Sequence, residues 1–302
     1  MFRDKDYLLT ADDLVFTVLG DQHAARLVTA GLKYVRGEKW LYDYSQAVRF
    51  LQENYPRYVP GTTAFGNIVQ VPVELIREHL KPRERAAALR ETPPRPGSLL
   101  ALAMELIDVL HQELDIPREQ FGLTDSLLWG EGTERSDIDL TLHGRGPVLL
   151  FLTYAEQVFV RPEFEPIAAE HIQRPPHLDD ATFATIVSRK HNQGTFRGTR
   201  FTLRGVWDDG EIVTTPERIT PFSPRGPVEL ELEITGTEES LLYPITYECH
   251  DGTRLVTYHI GYEMGFRPGD RVAVKGMRET GAAGQRVVVG SVRGEGESVH
   301  LL

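Results

Sequence analysis

Thr124-Asp125-Ser126-Leu127-Leu128-Trp129-Gly130-Glu131-Gly132-Thr133, continued by Ser136-Asp137-Ile138-Asp139-Leu140-Thr141-Leu142-His143-Gly144, is the stretch on which the reading of this 302-residue chain turns. Its second half alternates as a strand does. Ile138, Leu140 and Leu142 fall on one side; Asp137, Asp139, Thr141 and His143 fall on the other. The two carboxylates then lie roughly 6.5–7 Å apart along the strand and repel each other unless a cation sits between them. Mg²⁺ suits such a pair, because it takes one or two carboxylates together with substrate phosphates. An EF-hand is excluded, since its loop needs a glycine at the sharp turn and a terminal glutamate that this stretch lacks. Ten residues separate Ser126 from Asp137, and Gly130-Glu131-Gly132-Thr133 among them form a turn.

Outward from this stretch, Ser98 caps a strongly apolar helix expected from Leu99 to about Leu114, and Pro117 lies just past its end. Pro147 starts a helix from Val148 to about Phe159. Asp179-Asp180 open another through Lys190, with negative charge at the helix start. A strand is expected over Thr199–Val206, with Phe201, Leu203 and Gly205 on one face and Arg200, Thr202 and Arg204 on the other. Upstream, Tyr7–Thr10 and Leu14–Val18 read as a hairpin around Asp12-Asp13. Val28, Leu32 and Val35, then Ala47, Val48, Phe50 and Leu51, recur at helical spacing. Val73–Leu80 and Arg83–Leu89 read as further helices. The proline-dense Thr92–Gly97 marks a boundary. From about Val228 the chain is a succession of short apolar runs with turn signals at Gly269-Asp270 and Gly281–Gly284, which suggests a small barrel. The expected organisation is an N-terminal α/β segment over 1–92, a core over 98–225 and a β domain over 226–302.

No apolar stretch approaches the ~20 residues needed to span a bilayer, and the charged start Arg3-Asp4-Lys5-Asp6 does not lead into a signal peptide. A single cysteine, Cys249, excludes an internal disulfide framework and any multi-thiolate zinc site. The expected setting is a reducing cytoplasm. Net charge is −11, which argues against general attraction to nucleic acid or anionic lipid. One window runs the other way. Ala181–Trp207 holds no Asp or Glu but contains Arg189, Lys190, Arg197, Arg200 and Arg204, a pointer to a local anion site.

The pattern Thr124-Asp125-Ser126-Leu127-Leu128-Trp129-Gly130 followed by Ser136-Asp137-Ile138-Asp139-Leu140 resembles the DNA polymerase β-like nucleotidyltransferase superfamily, whose signature is a Gly-Ser pair followed by Asp-x-Asp on a strand. More narrowly, it is similar to predicted nucleotidyltransferases of archaeal type. The stretch Gly20-Asp21-Gln22-His23 and the turn Phe266–Asp270 before Val272–Gly276 add to that likeness. The resemblance spans about Leu99–Trp207. It implies an α+β fold in which a nucleotidyltransferase-type mixed sheet with helices lies between the N-terminal α/β segment and a small OB-like C-terminal β-barrel. It also implies a Mg²⁺- or Mn²⁺-dependent transfer of a nucleoside monophosphate from a nucleoside triphosphate to an acceptor: a protein, an RNA or a small molecule. Asp137 and Asp139 would be the catalytic metal ligands, with Ser126 and its neighbouring amides on the terminal phosphates. Asp125 stands where the family has glycine. No carboxylate lies in the body of Thr199–Val206, so Asp208, or Asp209 beside it, is the candidate third ligand. Arg189, Lys190, Arg200, Arg204 and Asp125 complete the nucleotide-side candidates.

Each of these residues also has a plain structural reading. The basic residues of the acid-free window can pair with acids elsewhere on an acidic chain. His23 and His143 read as packed or surface histidines, and Trp129 as a core residue. Asp125 is also a natural turn former. A decayed core that binds nucleotide or nucleic acid without turnover is the alternative function. No P-loop, dinucleotide fingerprint, H-E-x-x-H or nucleophile-elbow motif occurs.

Overall fold

The computed structural model describes every residue except 22, 64–65, 134–135, 212–221, 282–283 and 291–295. Gln22 of the Gly20–His23 stretch and the two alanines of the Gly281–Gly284 turn therefore lie outside the described residues. The architecture is α+β, with six helices among the described residues. The chain divides into two compact units, 1–108 with 117–143, and 109–116 with 144–302.

The first unit is built on an antiparallel sheet. Its strands are β1 (Tyr7–Thr10), β2 (Leu14–Val18), β3 (Leu27–Val35), β4 (Glu38–Lys39), β7 (Gln70–Pro72) and β8 (Ile76–Leu80). They run in the order β4-β3-β2-β1-β8, with β7 also on β3. Helix α1 (Tyr44–Asn54) is capped by Asp43, whose side chain accepts from the Gln46 amide while Gln46 reaches back, a capping box. β5 (Thr62–Thr63) and β6 (Gly66–Asn67) form a separate short pair.

Both faces of β1 and β2 are covered, which is why these strands read as unbroken apolar runs. Leu8, Leu14 and Phe16 pack with Ala47, Val48 and Leu51 of α1. Tyr7, Leu9 and Val15 pack instead with Leu128, next to the Ser126 turn. The second face thus seats the candidate site on the N-terminal hairpin.

Two expected helices are strands. Val28 and Leu32 are four residues apart, a spacing that shares a face in a helix and in a strand alike, so it could not decide between them. β3 pairs with β2 from Leu14↔Val35 to Val18↔Ala30. Val73–Leu75 is one 3₁₀ turn, and β8 then pairs with β1 from Tyr7↔Leu80 to Thr10↔Ile76. The N-terminal segment therefore holds both helix and strand, with more of it in the sheet than expected.

Helix α2 (Pro82–Glu91) opens on its proline, which is suited to a first helical turn. Helix α3 (Leu99–Leu114) starts at Ser98, whose hydroxyl accepts from the Ala101 amide at 3.2 Å. β9 (Phe121–Leu123) leads through Thr124-Asp125 into the one-turn α4 (Ser126–Trp129), and β10 (Ile138–His143) pairs antiparallel with β9.

In the second unit, helix α5 (Arg145–Val158) is followed by β11 (Phe164–Pro166), α6 (Asp180–Arg189), β12 (Gln193–Phe196) and β13 (Thr199–Val206), with the three strands antiparallel. Asp179 caps α6 through the Thr182 amide at 2.7 Å.

The C-terminal strands are β14 (Ser223–Glu239), β15 (Ile245–Cys249), β16 (Arg254–Thr257), β17 (Arg271–Gly281), β18 (Gly284–Val289) and β19 (Ser298–Leu301). The expected small OB-like barrel is corrected here to a six-stranded sheet ordered β14-β15-β16-β18-β17-β19, with β14 also pairing along β17. Alternation in the sequence marks where strands are, but not which strands pair. The parallel β16–β18 pair and the edge strand β19 had no local signal. Ile186 of α6 belongs to the core of this sheet, with Ile234, Tyr247 and Val272. Among the described residues no helix is long and apolar enough to cross a membrane.

Gly122 sets how closely α2 lies on β9. A Cβ there would meet the Thr141 hydroxyl at 2.5 Å, Pro82 Cβ at 2.6 Å and the Pro82 carbonyl carbon at 2.7 Å. Gly122→Ala is expected to lower stability by roughly 1–3 kcal/mol through overpacking. Gly146→Ala in α5, with nothing within 4 Å of its Cβ, should be neutral or stabilising. Urea denaturation midpoints of the two variants check this.

Candidate functional site

The two halves of the Thr124–Gly144 stretch are joined by the backbone. The Thr124 amide donates to the Asp139 carbonyl at 3.0 Å, extending the β9–β10 ladder to the edge of the Ser126 turn. The Thr124 hydroxyl donates to the Lys5 carbonyl at 3.0 Å. Arg85 of α2 holds the other end of the turn, donating to the carbonyls of Leu127 at 3.1 Å and Gly130 at 3.2 Å. Ser126 is thus fixed between anchors on both sides and is itself half-buried.

Asp125 adopts φ 50°, ψ −127°, a conformation natural to glycine and strained for an aspartate. Such a residue costs about 1–3 kcal/mol and persists only where its surroundings over-determine it. Here they do. The carboxylate accepts from the Lys33 ammonium at 2.5 Å and from the Tyr7 hydroxyl at 2.7 Å. Hydrogen bonds to a charged group contribute on the order of 1.5–3 kcal/mol each, enough together to offset the strain. Burial alone would raise the Asp125 carboxyl. The charges of Lys33 and Lys5 and the bonds from Lys33 and Tyr7 outweigh it and hold the group well below the usual carboxylate range. Tyr7 is raised well above the ordinary phenol value, first by burial, then by Asp125 and, more weakly, by Asp139. The aspartate in the glycine position is therefore a fixed anion whose charge is answered by Lys33.

Asp137 and Asp139 are half-buried on either side of the fully buried Ile138. Leu140 and Leu142 are buried, and so are Thr141 and His143, which are joined by a 2.9 Å hydrogen bond between the Thr141 hydroxyl and His143 Nε2. Before Asp137, the Ser136 hydroxyl accepts from the Thr133 amide at 2.9 Å. His143 shares the Asp137/Asp139 face of the strand pattern but bonds the Thr141 hydroxyl, and the two carboxylates themselves offer a hard, oxygen-only donor set. That set fits Mg²⁺, with phosphate oxygens completing the shell. Among the described residues no three His, Cys, Asp or Glu side chains gather as a metal-holding group.

The remaining candidates belong to the second unit. Arg189 donates to Asp270 at 2.5 Å and to the Gly265 carbonyl at 3.1 Å. Lys190, fully buried, donates to the carbonyls of Ile260 at 3.2 Å and Glu263 at 3.0 Å. Burial pushes its ammonium down to about 8, against the pull of Glu263. Arg204 donates to the Glu263 carboxylate, to which Asn192 also donates at 3.1 Å. Arg200 donates to His171 Nδ1 at 3.2 Å. Asp208 lies in a turn past β13, accepting from the Asp209 amide at 2.9 Å. Its own amide donates to Glu211 at 3.1 Å. Both Glu211 oxygens lie 2.8 Å from the Arg145 amide at the start of α5.

His23 is a packed residue, its Nδ1 accepting from the Thr29 amide at 3.3 Å. Trp129 is not in the core as expected. It stacks on Tyr34 with ring centroids 5.8 Å apart and keeps 41% of its surface exposed. Tyr7, Lys33, Tyr34 and Arg85 were not legible as site residues, because they reach it across 42 to 118 positions of sequence. The usable signal was Asp125 itself, an acid in a short polar turn between the apolar residues Leu123 and Leu127.

No family model, curated protein or solved structure matches the chain.

Because the folded-state Asp125 carboxyl is depressed, its stabilisation is complete above its ordinary value of 3.8 and is lost as pH falls below it. Asp125→Asn should be less stable than wild type near neutrality, and the gap should begin to narrow as pH falls through about 3.8. Lys190 runs in the same sense, in a higher pH window. Its folded value of about 8 lies under the ordinary 10.5, so the unfolded chain binds more protons between the two and stability gains with rising pH. The wild-type advantage over Lys190→Met should therefore grow from about pH 8 to about pH 9. Denaturant titrations at stepped pH read both effects.

Proposed function

We infer that this chain is a Mg²⁺-dependent nucleotidyltransferase that moves a nucleoside monophosphate from a nucleoside triphosphate to an acceptor hydroxyl on a protein, an RNA or a small molecule. The observation that carries this reading is the 3.0 Å bond from the Thr124 amide to the Asp139 carbonyl, which sets the Ser126 turn directly beside the strand bearing Asp137 and Asp139. Phosphate grip and carboxylate pair are then neighbours, as transfer requires. Asp137 and Asp139 would hold the metal, which would supply charge neutralisation for an in-line displacement at phosphorus. Ser126 and the amides beside it would bind the terminal phosphates. The Lys33–Asp125 pair keeps the carboxylate in the glycine position from repelling them. A cytoplasmic setting accords with the one cysteine, Cys249, which is a buried free thiol.

A second reading, nucleotide binding without turnover, is favoured by one observation. Asp125 commits its carboxylate to Lys33 and Tyr7 where the resembling family has glycine. Incubation with each labelled nucleoside triphosphate, Mg²⁺ or Mn²⁺ and cell extract separates the two readings. Transfer is expected, and Asp137→Asn and Asp139→Asn should each abolish it. Nucleotide-dependent thermal stabilisation without product would support the binding module. Equal labelling by wild type and both variants would contradict the transferase.

A further inference from the structure

Tryptophan is the costliest side chain to leave in water, yet Trp129, three residues after Ser126, remains 41% exposed. It lines a cleft of about 360 Å³ together with Leu9, Val15, Asp13, Arg36 and Arg77. Tyr34 stacks on the indole at an interplanar angle of 20°, holding it as a rigid step. Arg36 is exposed and has no ion-pair partner among the described residues. Arg77 lies 3.6 Å from Asp13. Two guanidiniums against one carboxylate leave a single positive charge in the cleft of a chain whose net charge is −11. An aromatic platform beside arginine is the chemistry that recognises a base and its phosphate, the ring taking the base's π-face and the guanidinium the phosphate oxygens. The volume lies at the small end of ligand pockets, room for one nucleotide unit and not for a segment of partner protein.

We propose that the cleft formed by Trp129, Arg36 and Arg77 is a subsite for a nucleotide unit, base against Trp129 and phosphate at the arginines, separate from the Asp137/Asp139 carboxylates. The unit comes either from a free nucleotide or from the end of a single strand that serves as acceptor. This deepens the transferase reading by naming its second substrate class, and rests on that reading for its role though not for its binding.

The test is binding without metal. Fluorescently labelled single-stranded oligoadenylate, and AMP as competitor, are titrated in EDTA against the full chain and its Trp129→Ala, Trp129→Phe, Arg36→Glu and Asp137→Asn/Asp139→Asn variants. Thermal melts confirm that each variant is folded. Trp129→Ala should weaken binding about tenfold or more, Trp129→Phe should recover most of it, and Arg36→Glu should weaken it and flatten its salt dependence. Trp129→Ala should weaken binding by the same factor in the Asp137→Asn/Asp139→Asn background as in wild type, so the subsite stands or falls apart from catalysis. Displacement of the strand by AMP at comparable concentration assigns the subsite to the free nucleotide; binding of the strand alone assigns it to the acceptor. Absence of binding by either, or binding unchanged in folded Trp129→Ala and Arg36→Glu, would overturn the proposal.

Discussion

The bond from Lys33 to the carboxylate of Asp125 is the interaction on which the candidate site depends. Asp125 sits in backbone space that glycine occupies freely and aspartate does not. What holds it there comes from the N-terminal sheet, Lys33 on β3 and Tyr7 on β1. Those two contacts, with the Thr124 hydroxyl on the Lys5 carbonyl, dock the Ser126 turn onto that sheet. Arg85 closes the turn from α2, and the Thr124 amide ties it to the strand carrying Asp137 and Asp139. The negative charge of Asp125 in the Ser126 turn is thus answered by a cation from a strand distant in sequence.

What the sequence disclosed was local. The Asp137–His143 alternation, the Ser98 cap, the Asp179 cap and the strand at Thr199–Val206 were all visible because each rests on neighbouring residues. Where two periods coincide, as at Val28 and Leu32, the reading took a strand for a helix. Pairing is non-local, so neither the six-stranded C-terminal sheet nor its parallel pair was legible, and the expected barrel had to be given up. The clasp on Asp125 was illegible for the same reason. Trp129 reads as a core residue in the sequence, whereas its neighbours Leu127 and Leu128 fill that role.

The acid-free window from Ala181 to Trp207 acquires a structural account within the second unit. Three of its five charges are answered by acids that follow later in the chain: Arg189 by Asp270, and Arg204 and Lys190 by Glu263. Lys190 and Glu263 are almost wholly buried, so their pairing ties α6 and β13 to the turn after β16. A local excess of one charge in sequence is therefore not evidence of an anion site until its partners in the fold are known. The proposed chemistry draws only on residues of the first unit.

The central claim is that Asp137 and Asp139 and the Ser126 turn act as one metal–nucleotide site. Electron paramagnetic resonance of Mn²⁺ added with a non-hydrolysable nucleoside triphosphate tests it most directly. The account predicts that nucleotide strengthens Mn²⁺ binding to the wild-type chain and that this coupling disappears in Asp137→Asn/Asp139→Asn. Mn²⁺ bound with the same nucleotide dependence when both carboxylates are gone would contradict it.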